Sequence, residues 1–184
     1  VAYTKPIIQI LGSDLMTLEA THSGNYVDDG ATCYDQVDGV ISQNVEVSGD
    51  VVNLSKVGTY VITYNCKDSA GNTANALSRT VHIAQTSCPK CSIAGALNVE
   101  YEASFPYTDA GASCSDVIDG TVTTHCSSDN AAWDASKGCS DLVDVSITGV
   151  YNIVYTAQNT VGLWNNGANC RGGASTYGRK VTVS

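Results

Sequence analysis

The chain has 184 residues, and 18 acidic side chains against 9 lysines and arginines give it a formal net charge of −9. This charge disfavours nucleic acid and anionic membrane surfaces as partners, because both repel an acidic protein. No stretch approaches the roughly 18 apolar residues of a membrane span, and a secretory signal is expected to be either absent or already removed. Eight cysteines beside few lysines favour an oxidising, extracellular location.

The first part of the chain predicts short strands separated by turns. The apolar run Ile7–Leu11 ends at Gly12, and Leu15–Ala20 is a second β-rich run without helical spacing. The segment Asp35–Gly39 has the chemistry of a tight turn, since Asp side chains bond to downstream amides and Gly accepts a positive φ. We therefore expect a hairpin-like reversal there, which needs no ligand to form.

Alternating apolar residues predict further strands downstream of this turn. Val40–Val47 and Val51–Leu54 are two candidates, and Ser78–Ala84 is expected to be the last strand before a short linker. Tyr60–Cys66 has the strongest alternation in the chain. We expect it to be a central strand.

The segment Tyr26–Ile41 returns at Tyr107–Val122, with eight of sixteen positions identical, and this identifies an internal repeat. Two later segments repeat as well, Gly58–Tyr64 as Gly149–Tyr155 and Arg79–Ile83 as Arg179–Val183. The chain is therefore predicted to form two domains, residues 1–85 and 86–184. The linker around Gln85–Ser92 is short, so a restricted orientation of the two domains is expected.

The second copy is longer than the first. The offset between repeated segments grows from 81 to 91 to 100 residues, so ten extra residues lie in one connection and nine in another. They fall around His125–Asp144 and Leu163–Tyr177, and such insertions are surface loops on which binding functions are usually grafted. Ser128–Ala135 is predicted to contain a helical turn, because cap residues precede helix formers there.

This pattern of strands and turns predicts an all-β fold of two tandem antiparallel β-sandwiches. The residues Y-x-D-x-G-A-x-C-x-D-x-x-D-G, followed by G-x-Y-x-I-x-Y, D-S-A-G-N and R-T-V-x-I, resemble immunoglobulin-like surface repeats of the hyalin-repeat and bacterial Ig-like type. The resemblance covers nearly all of the first copy and the second copy outside its insertions. The second copy departs from it at Ala157, which replaces Cys66, and at Asn159, which replaces Asp68.

The eight cysteines are expected to form disulfides. Within the fold that the resemblance implies, Cys33 and Cys66 lie on successive strands, and a bridge between them contributes about 3 to 4 kcal/mol. The six later cysteines allow about 15 connectivities. Cys126 with Cys139 is favoured as a local staple. The pairing of the other four stays open, and Cys114 with Cys170 and Cys88 with Cys91 is one arrangement of them.

Catalytic and zinc-binding interpretations are disfavoured. The C-x-x-C spacing of Cys88 and Cys91 suits redox chemistry at a helix N-terminus, whereas here it enters a strand. Zinc normally takes a second such pair or paired histidines, and the three histidines, His22, His82 and His125, stand alone. No G-x-S-x-G segment supports a catalytic triad. No catalytic residue and no cofactor are therefore predicted.

Carboxylates of the repeated segment are candidate oxygen ligands for Ca²⁺. They are Asp28, Asp29, Asp35, Asp38 and Asp68 in the first copy and Asp109, Asp116 and Asp119 in the second. Asx-turns and solvated loop ends explain the same residues without a metal, and no EF-hand spacing is present. The interpretation without a metal is therefore preferred.

Two surface features bear on glycans. Asn53 begins the sequon Asn-Leu-Ser, which predicts a glycosylation site if the protein is secreted. Trp133 and Trp164 both fall in the insertions of the second copy, where exposed aromatic rings can stack on sugars. Covering the small cores of their own loops is the preferred alternative for both rings.

The resemblance implies a secreted or cell-surface protein that is not an enzyme and has a spacer, adhesion or assembly role. The leading prediction is therefore an extracellular structural or adhesive protein. One alternative is a carbohydrate-binding module that uses the loop aromatics of the second domain. The other is a filament subunit, because Val1–Leu11 and Lys180–Ser184 present strand edges for other copies or for neighbouring Ig-like domains.

Overall fold

The computed structural model describes residues 4–129, 137–167, 169–170 and 176–184 of the chain. The chain divides into two compact units, Val1–Gln85 and Thr86–Ser184. We call them unit 1 and unit 2. Nearly all of their regular secondary structure is β-strand, so the predicted all-β class is confirmed. No helix in the described part of the chain is long and apolar enough to cross a membrane.

Unit 1 has two sheets, one of three strands and one of four. Its strands are β1 (Ile7–Ile10), β2 (Leu15–Glu19), β3 (Ala31–Asp35), β4 (Gly39–Val40), β5 (Glu46–Gly49), β6 (Gly58–Asn65) and β7 (Leu77–Ala84). The strand order is β1-β3-β4 in one sheet and β2-β7-β6-β5 in the other. The strand predicted to be central, β6, lies between β5 and β7.

Unit 2 repeats this arrangement. Its strands are β8 (Lys90–Ile93), β9 (Asn98–Tyr101), β10 (Ala112–Asp116), β11 (Gly120–Val122), β12 (Thr124–Ser128), β13 (Gly149–Ala157) and β14 (Tyr177–Val183). The orders are β11-β10-β8 and β12-β13-β14-β9. A short 3-10 helix, Cys139–Leu142, lies in the first insertion.

The four-stranded sheet of each unit is mixed, which corrects the prediction of purely antiparallel sandwiches. In unit 1 β2 runs parallel to β7, and in unit 2 β9 runs parallel to β14. Parallel neighbours need a long connection. Here almost the whole unit supplies it, because the early strand β2 or β9 lies beside the last strand of its unit.

The core of each unit is made by the inward faces of these strands, as the two-residue period requires. In unit 1 one cluster of buried residues contains Ile8, Cys33, Ile41, Ile62, Tyr64, Cys66 and Ala74, and Ala20, Val81 and Ile83 are buried as well. In unit 2 the main cluster contains Tyr107, Cys126, Leu142, Val143, Tyr151, Ile153, Tyr155, Val181 and Val183. A smaller cluster of unit 2 contains Cys91, Cys114 and Ala157.

The turn predicted at Asp35–Gly39 is present and joins β3 to β4. One carboxylate oxygen of Asp35 accepts the amide hydrogens of Val37 at 2.8 Å and Asp38 at 3.1 Å. Gly39 follows at a φ of 72°, a conformation that a side chain disfavours. Asp116 and Gly120 form the same turn in unit 2. The turn chemistry of the repeat therefore serves backbone reversal.

The predicted strand Val40–Val47 is wrong, because a 3-10 helix at Ser42–Asn44 interrupts it. The Ser42 hydroxyl accepts the Cys33 amide at 3.1 Å, and the Ser42 carbonyl accepts the Val45 amide at 3.2 Å. These bonds compete with a continuous ladder. The chain passes here from the three-stranded sheet to the four-stranded sheet of unit 1.

The prediction for Val51–Leu54 also differs from the structure, whereas the prediction for Ser128–Ala135 falls mostly on residues that the structure does not describe. Val51–Leu54 forms no strand, because the Asn53 side chain accepts the Ser55 amide at 2.9 Å and closes a turn. Ser128 ends strand β12. Most of the predicted helical turn lies in residues 130–136, outside the described residues.

Four disulfides link all eight cysteines. They are Cys33–Cys66, Cys88–Cys170, Cys91–Cys114 and Cys126–Cys139. The first and the last are the pairs that the sequence favours. The pairs Cys114–Cys170 and Cys88–Cys91 are wrong.

The register of the sheet explains the corrected pairs. Cys91 and Cys114 lie directly opposite each other on the neighbouring strands β8 and β10. Cys88 and Cys91 are three positions apart, and an odd separation in extended chain places side chains on opposite faces. Since Cys91 bonds Cys114, Cys88 forms its disulfide with Cys170.

We predict that peptide mapping without reduction recovers Cys91 linked to Cys114 and Cys88 linked to Cys170. A peptide that joins Cys114 to Cys170 would contradict the register between β8 and β10. The pair Cys126–Cys139 serves as the internal control, because the sequence and the structure agree on it.

Candidate functional site

Each unit holds a buried arginine cluster between its sheets. In unit 1 Arg79 of β7 is fully buried, and its guanidinium forms an ion pair with Asp28 and donates to the Leu11 carbonyl. The Tyr64 hydroxyl donates to the Asp28 carboxylate at 2.7 Å. Tyr26 completes the cluster, with its hydroxyl 3.4 Å from Asp28. The four side chains thus share one carboxylate and one cation.

The cluster of unit 2 has the same members at the repeated positions. Arg179 lies 2.9 Å from Asp109 and donates to the Ala94 carbonyl. The hydroxyls of Tyr155 and Tyr107 donate to Asp109 at 2.6 Å and 2.7 Å. All four residues lie in repeated segments, so the sequence marks each of them as a shared feature of the two units. That their side chains form one cluster is not predicted from the sequence.

Electrostatics keeps these groups in fixed ionisation states. Burial and the neighbouring Asp28 carboxylate raise the pKa of Tyr64, and burial with Asp109 does the same for Tyr155. Burial by itself lowers the pKa of Arg79. The hydrogen bond with Tyr26 and the negative charge of Asp28 have a larger combined effect, so the pKa of Arg79 is raised. Both tyrosines are therefore neutral donors to a charged pair.

This arrangement argues against Asp28 and Asp109 as Ca²⁺ ligands. Each already has a guanidinium as its counterion and tyrosine hydroxyls as donors. A second cation at the same carboxylate would face the positive charge of the arginine. Asp28 and Asp109 are structural residues of the arginine clusters.

We predict that Asp109→Asn destabilises unit 2 by about 3 to 5 kcal/mol, because it leaves a buried guanidinium without its counterion. The matched change Asp28→Asn in unit 1 is expected to cost less. The Asp28 side chain is 23% exposed, so water can replace part of the interaction, whereas that of Asp109 is 1% exposed. Urea unfolding of both variants measures the difference, and equal losses would contradict this ranking.

A second group of carboxylates surrounds a cleft of about 120 Å³ in unit 1, which we call the acidic cleft. It is lined by Thr4, Asp35, Val37, Asp38, Asp68, Ser69 and Ala70. The Asp38 carboxylate accepts the amide and the hydroxyl of Ser69 at 2.7 Å and 2.9 Å. This contact ties the β3–β4 turn to the β6–β7 turn.

The other two carboxylates of the acidic cleft differ in their partners. Asp68 accepts the backbone amide and the side-chain amide of Asn72, each at 2.7 Å, and chiefly the side-chain bond lowers its pKa. Asp35 is 2% exposed, and its Oδ1 accepts the turn amides. Its Oδ2 is buried without a hydrogen-bond partner.

The equivalent place in unit 2 is closed by an amide. Asn159 stands where unit 1 has Asp68, and its Nδ2 donates to Asp116 Oδ2 at 3.1 Å and to the Ser87 carbonyl at 3.3 Å. Asp119 accepts the Thr160 amide at 2.7 Å, as Asp38 does from Ser69. Among the described residues, no group of three or more acidic, histidine or cysteine side chains is already arranged around a common point as metal ligands are.

One aromatic candidate, Trp164, lies near a polar cleft of unit 2, which has a volume of about 500 Å³. It is lined by Asp119, Thr121, Val122, Thr123, His125, Gln158 and Thr160. The ring of Trp164, which is 38% exposed, has its centroid 6.1 Å from that of His125. Trp133 lies outside the described residues. Trp164 is thus the aromatic candidate that the structure places beside a cleft.

The remaining candidates concern the surface. Asn53 is exposed in a turn, so the sequon is accessible.

The prediction that Lys180–Ser184 offers a free strand edge is wrong, because β14 pairs with β13 on one side and β9 on the other. In the described part of the chain, β1 pairs with β3 alone. Self-association stays a prediction.

Comparison with known proteins adds a family to this description. Residues 8–83 match the model of a bacterial surface protein Ig-like domain, which supports the Ig-like resemblance over that part of the chain. No curated protein matches the chain.

Several solved structures are similar to the chain. A lipoprotein from Bacteroides thetaiotaomicron is 11% identical with a TM-score of 0.37, over 94% of this chain and 79% of that one. The fibronectin(III)-like modules of CbhA from Clostridium thermocellum are 13% identical with a TM-score of 0.36, over 97% and 94%. The CBM51-2 and INT domains of ZmpB from Clostridium perfringens, in complex with GlcNAc, are 20% identical with a TM-score of 0.34, over 84% and 30%.

Proposed function

We propose that the chain is a non-enzymatic extracellular protein with a structural or adhesive role, and that its Ig-like units bear tension along the chain. The match of residues 8–83 to a bacterial surface domain supports the location. The four disulfides support it as well, since they persist in oxidising surroundings.

The observation that carries the proposal is the disulfide Cys88–Cys170. It joins the entry of unit 2 to a position close to its last strand and spans 82 residues of sequence. A pull on the two ends of the unit passes from Cys88 to Cys170 through this covalent bond. The strands between the two cysteines are thereby shielded from tension, and β14 is the strand that remains exposed to it.

The pairing of β2 with β7 gives unit 1 a resistance of a different kind. The two strands run parallel from the pair Leu15 and Thr80 to the pair Glu19 and Ala84. Tension reaches β2 from its N-terminal end and β7 from its C-terminal end, so it slides one strand along the other. The hydrogen bonds between them must then break together instead of one after another.

The polar residues that both units repeat also have structural roles. The arginine cluster uses Asp28, Tyr64 and Arg79 inside unit 1, and Asp35 closes a turn. Their repetition in unit 2 is explained by the fold. This supports a role in which the units act as rigid elements and the loops of unit 2 supply any contact with a partner.

We predict that single-molecule stretching of the oxidised chain extends unit 2 only outside Cys88–Cys170. The double variant Cys88→Ser, Cys170→Ser is expected to lengthen the fully stretched unit by about 165 Å. Removing the outer disulfide frees the 82 residues that separate its cysteines, except for the 23 and 13 residues that the two inner disulfides still hold in closed loops. The freed residues extend by about 3.6 Å each.

The matched control is the double variant Cys126→Ser, Cys139→Ser. Its disulfide lies inside the loop that Cys88–Cys170 closes, so its removal leaves the stretched length of the oxidised chain unchanged. Equal lengths for the wild type and the Cys88→Ser, Cys170→Ser variant would overturn the shielding that the proposal requires.

Carbohydrate binding by unit 2 is the second candidate function. The observation that favours it is the polar cleft beside Trp164, which offers hydroxyl, amide and carboxylate groups next to an exposed ring. Polar groups that can bond sugar hydroxyls next to an aromatic face are the elements that a sugar site needs.

We predict that Trp164→Ala and Gln158→Ala each abolish binding of the chain to its glycan on an array, if this cleft is the site. The double change Tyr34→Ala, Val40→Ala, on the outer face of unit 1, serves as the control and leaves binding intact. Wild-type protein that binds no glycan, or variants that bind as the wild type does, would remove this candidate. Circular dichroism verifies that the variants remain folded.

A further inference from the structure

We propose that unit 1 binds one divalent cation of the Ca²⁺ type in the acidic cleft, between Asp35 and Asp68, and that the equivalent position of unit 2, at Asp116 and Asn159, does not. The inference does not depend on the tension-bearing role. It rests on the buried oxygen of Asp35 and on a comparison of the two units at equivalent positions.

The fold brings Asp35 and Asp68 together. Asp35 follows Cys33 by two residues, and Asp68 follows Cys66 by two residues. A separation of two keeps side chains on one face of an extended segment. Since the disulfide Cys33–Cys66 joins the two segments, both aspartates lie on its side, where they are 2% and 9% exposed.

This placement leaves one oxygen without a partner. Oδ1 of Asp35 accepts two amides of its turn, whereas Oδ2 is buried and has no hydrogen-bond donor. A buried anionic oxygen without compensation is costly, and a second carboxylate next to it adds repulsion. The pair therefore requires positive charge between its members.

Unit 2 shows what the position requires. There Asn159 replaces Asp68, and its amide donates to the Oδ2 of Asp116, the equivalent of Asp35, and to the carbonyl of Ser87. The turns around the site are otherwise alike, as the contacts of Asp119 with Thr160 and of Asp38 with Ser69 show. An amide hydrogen in unit 2 thus occupies the place for which unit 1 needs a cation.

The residues of the acidic cleft suit Ca²⁺. Asp35 supplies a free oxygen, Asp68 and Asp38 retain lone pairs beyond their present hydrogen bonds, and Thr4 also lines the cleft. Ca²⁺ takes six to eight oxygen ligands in flexible geometry and completes its shell with water, whereas Mg²⁺ demands a near-ideal octahedron. A volume of about 120 Å³ has room for an ion with several waters.

The expected affinity is modest, because the cleft offers only two to three carboxylates, and a small number of charged ligands is typical of the sites of extracellular modules. Such sites have dissociation constants of about 10⁻⁴ to 10⁻³ M. Binding would link the β3–β4 turn to the β6–β7 turn at the end where the chain enters unit 1, since Thr4 lines the same cleft. The ion would therefore stiffen that end of the unit.

The test is calorimetric titration of the full chain, freed of metal by chelation, with CaCl₂ and separately with MgCl₂. We expect one Ca²⁺ per chain, and a melting temperature that 10 mM CaCl₂ raises by several degrees and MgCl₂ raises less. Asp68→Asn is expected to abolish both effects. It introduces the amide that unit 2 has at Asn159, so it should fold and be at least as stable as the metal-free wild type.

Two further variants separate the site from general attraction to an acidic chain. Asp35→Asn is expected to abolish binding, whereas Asp119→Asn, at the equivalent end of unit 2, leaves one Ca²⁺ bound. The proposal is wrong if the wild type binds no Ca²⁺ at 10 mM. It is equally wrong if Asp68→Asn and Asp35→Asn bind as the wild type does, which would mean adventitious ions on the surface.

Discussion

A buried arginine in the last strand of each unit is the constraint on which the rest of the structure depends. A guanidinium can remain inside a sandwich only if an anion and hydrogen-bond acceptors surround it. For Arg79 these come from Asp28 before β3 and from the Leu11 carbonyl after β1. A shift of β7 by one residue would turn Arg79 outward and break every one of these contacts. The buried charge thus specifies the register of the sheet together with apolar burial.

Much of the fold could be predicted because the two-residue period is strong in segments such as Tyr60–Cys66 and because it occurs twice. The failures lie where side chains bond to the backbone and redirect the chain, as Ser42 and Asn53 do. The predicted partner of Cys91 is wrong for another reason. Its partner depends on which strand lies beside β8, and that is set by pairing between distant segments.

The candidate site was only partly visible in the sequence for the same reason. Period and turn chemistry identify Asp35 and Asp68 one at a time, but their proximity follows from the contact between segments that the Cys33–Cys66 disulfide joins. The two units diverge at this point in two residues at once, since Ala157 replaces Cys66 and Asn159 replaces Asp68. Unit 2 retains a covalent link nearby, within one sheet, between Cys91 and Cys114.

The nesting of the disulfides in unit 2 has a consequence for proteolysis of the chain. The loops between Cys88 and Cys170 enclose both inner disulfides. A single cleavage of the backbone anywhere between these two cysteines leaves both fragments attached to each other. A nicked molecule therefore keeps its two ends covalently joined, and damage to an exposed loop does not sever the chain.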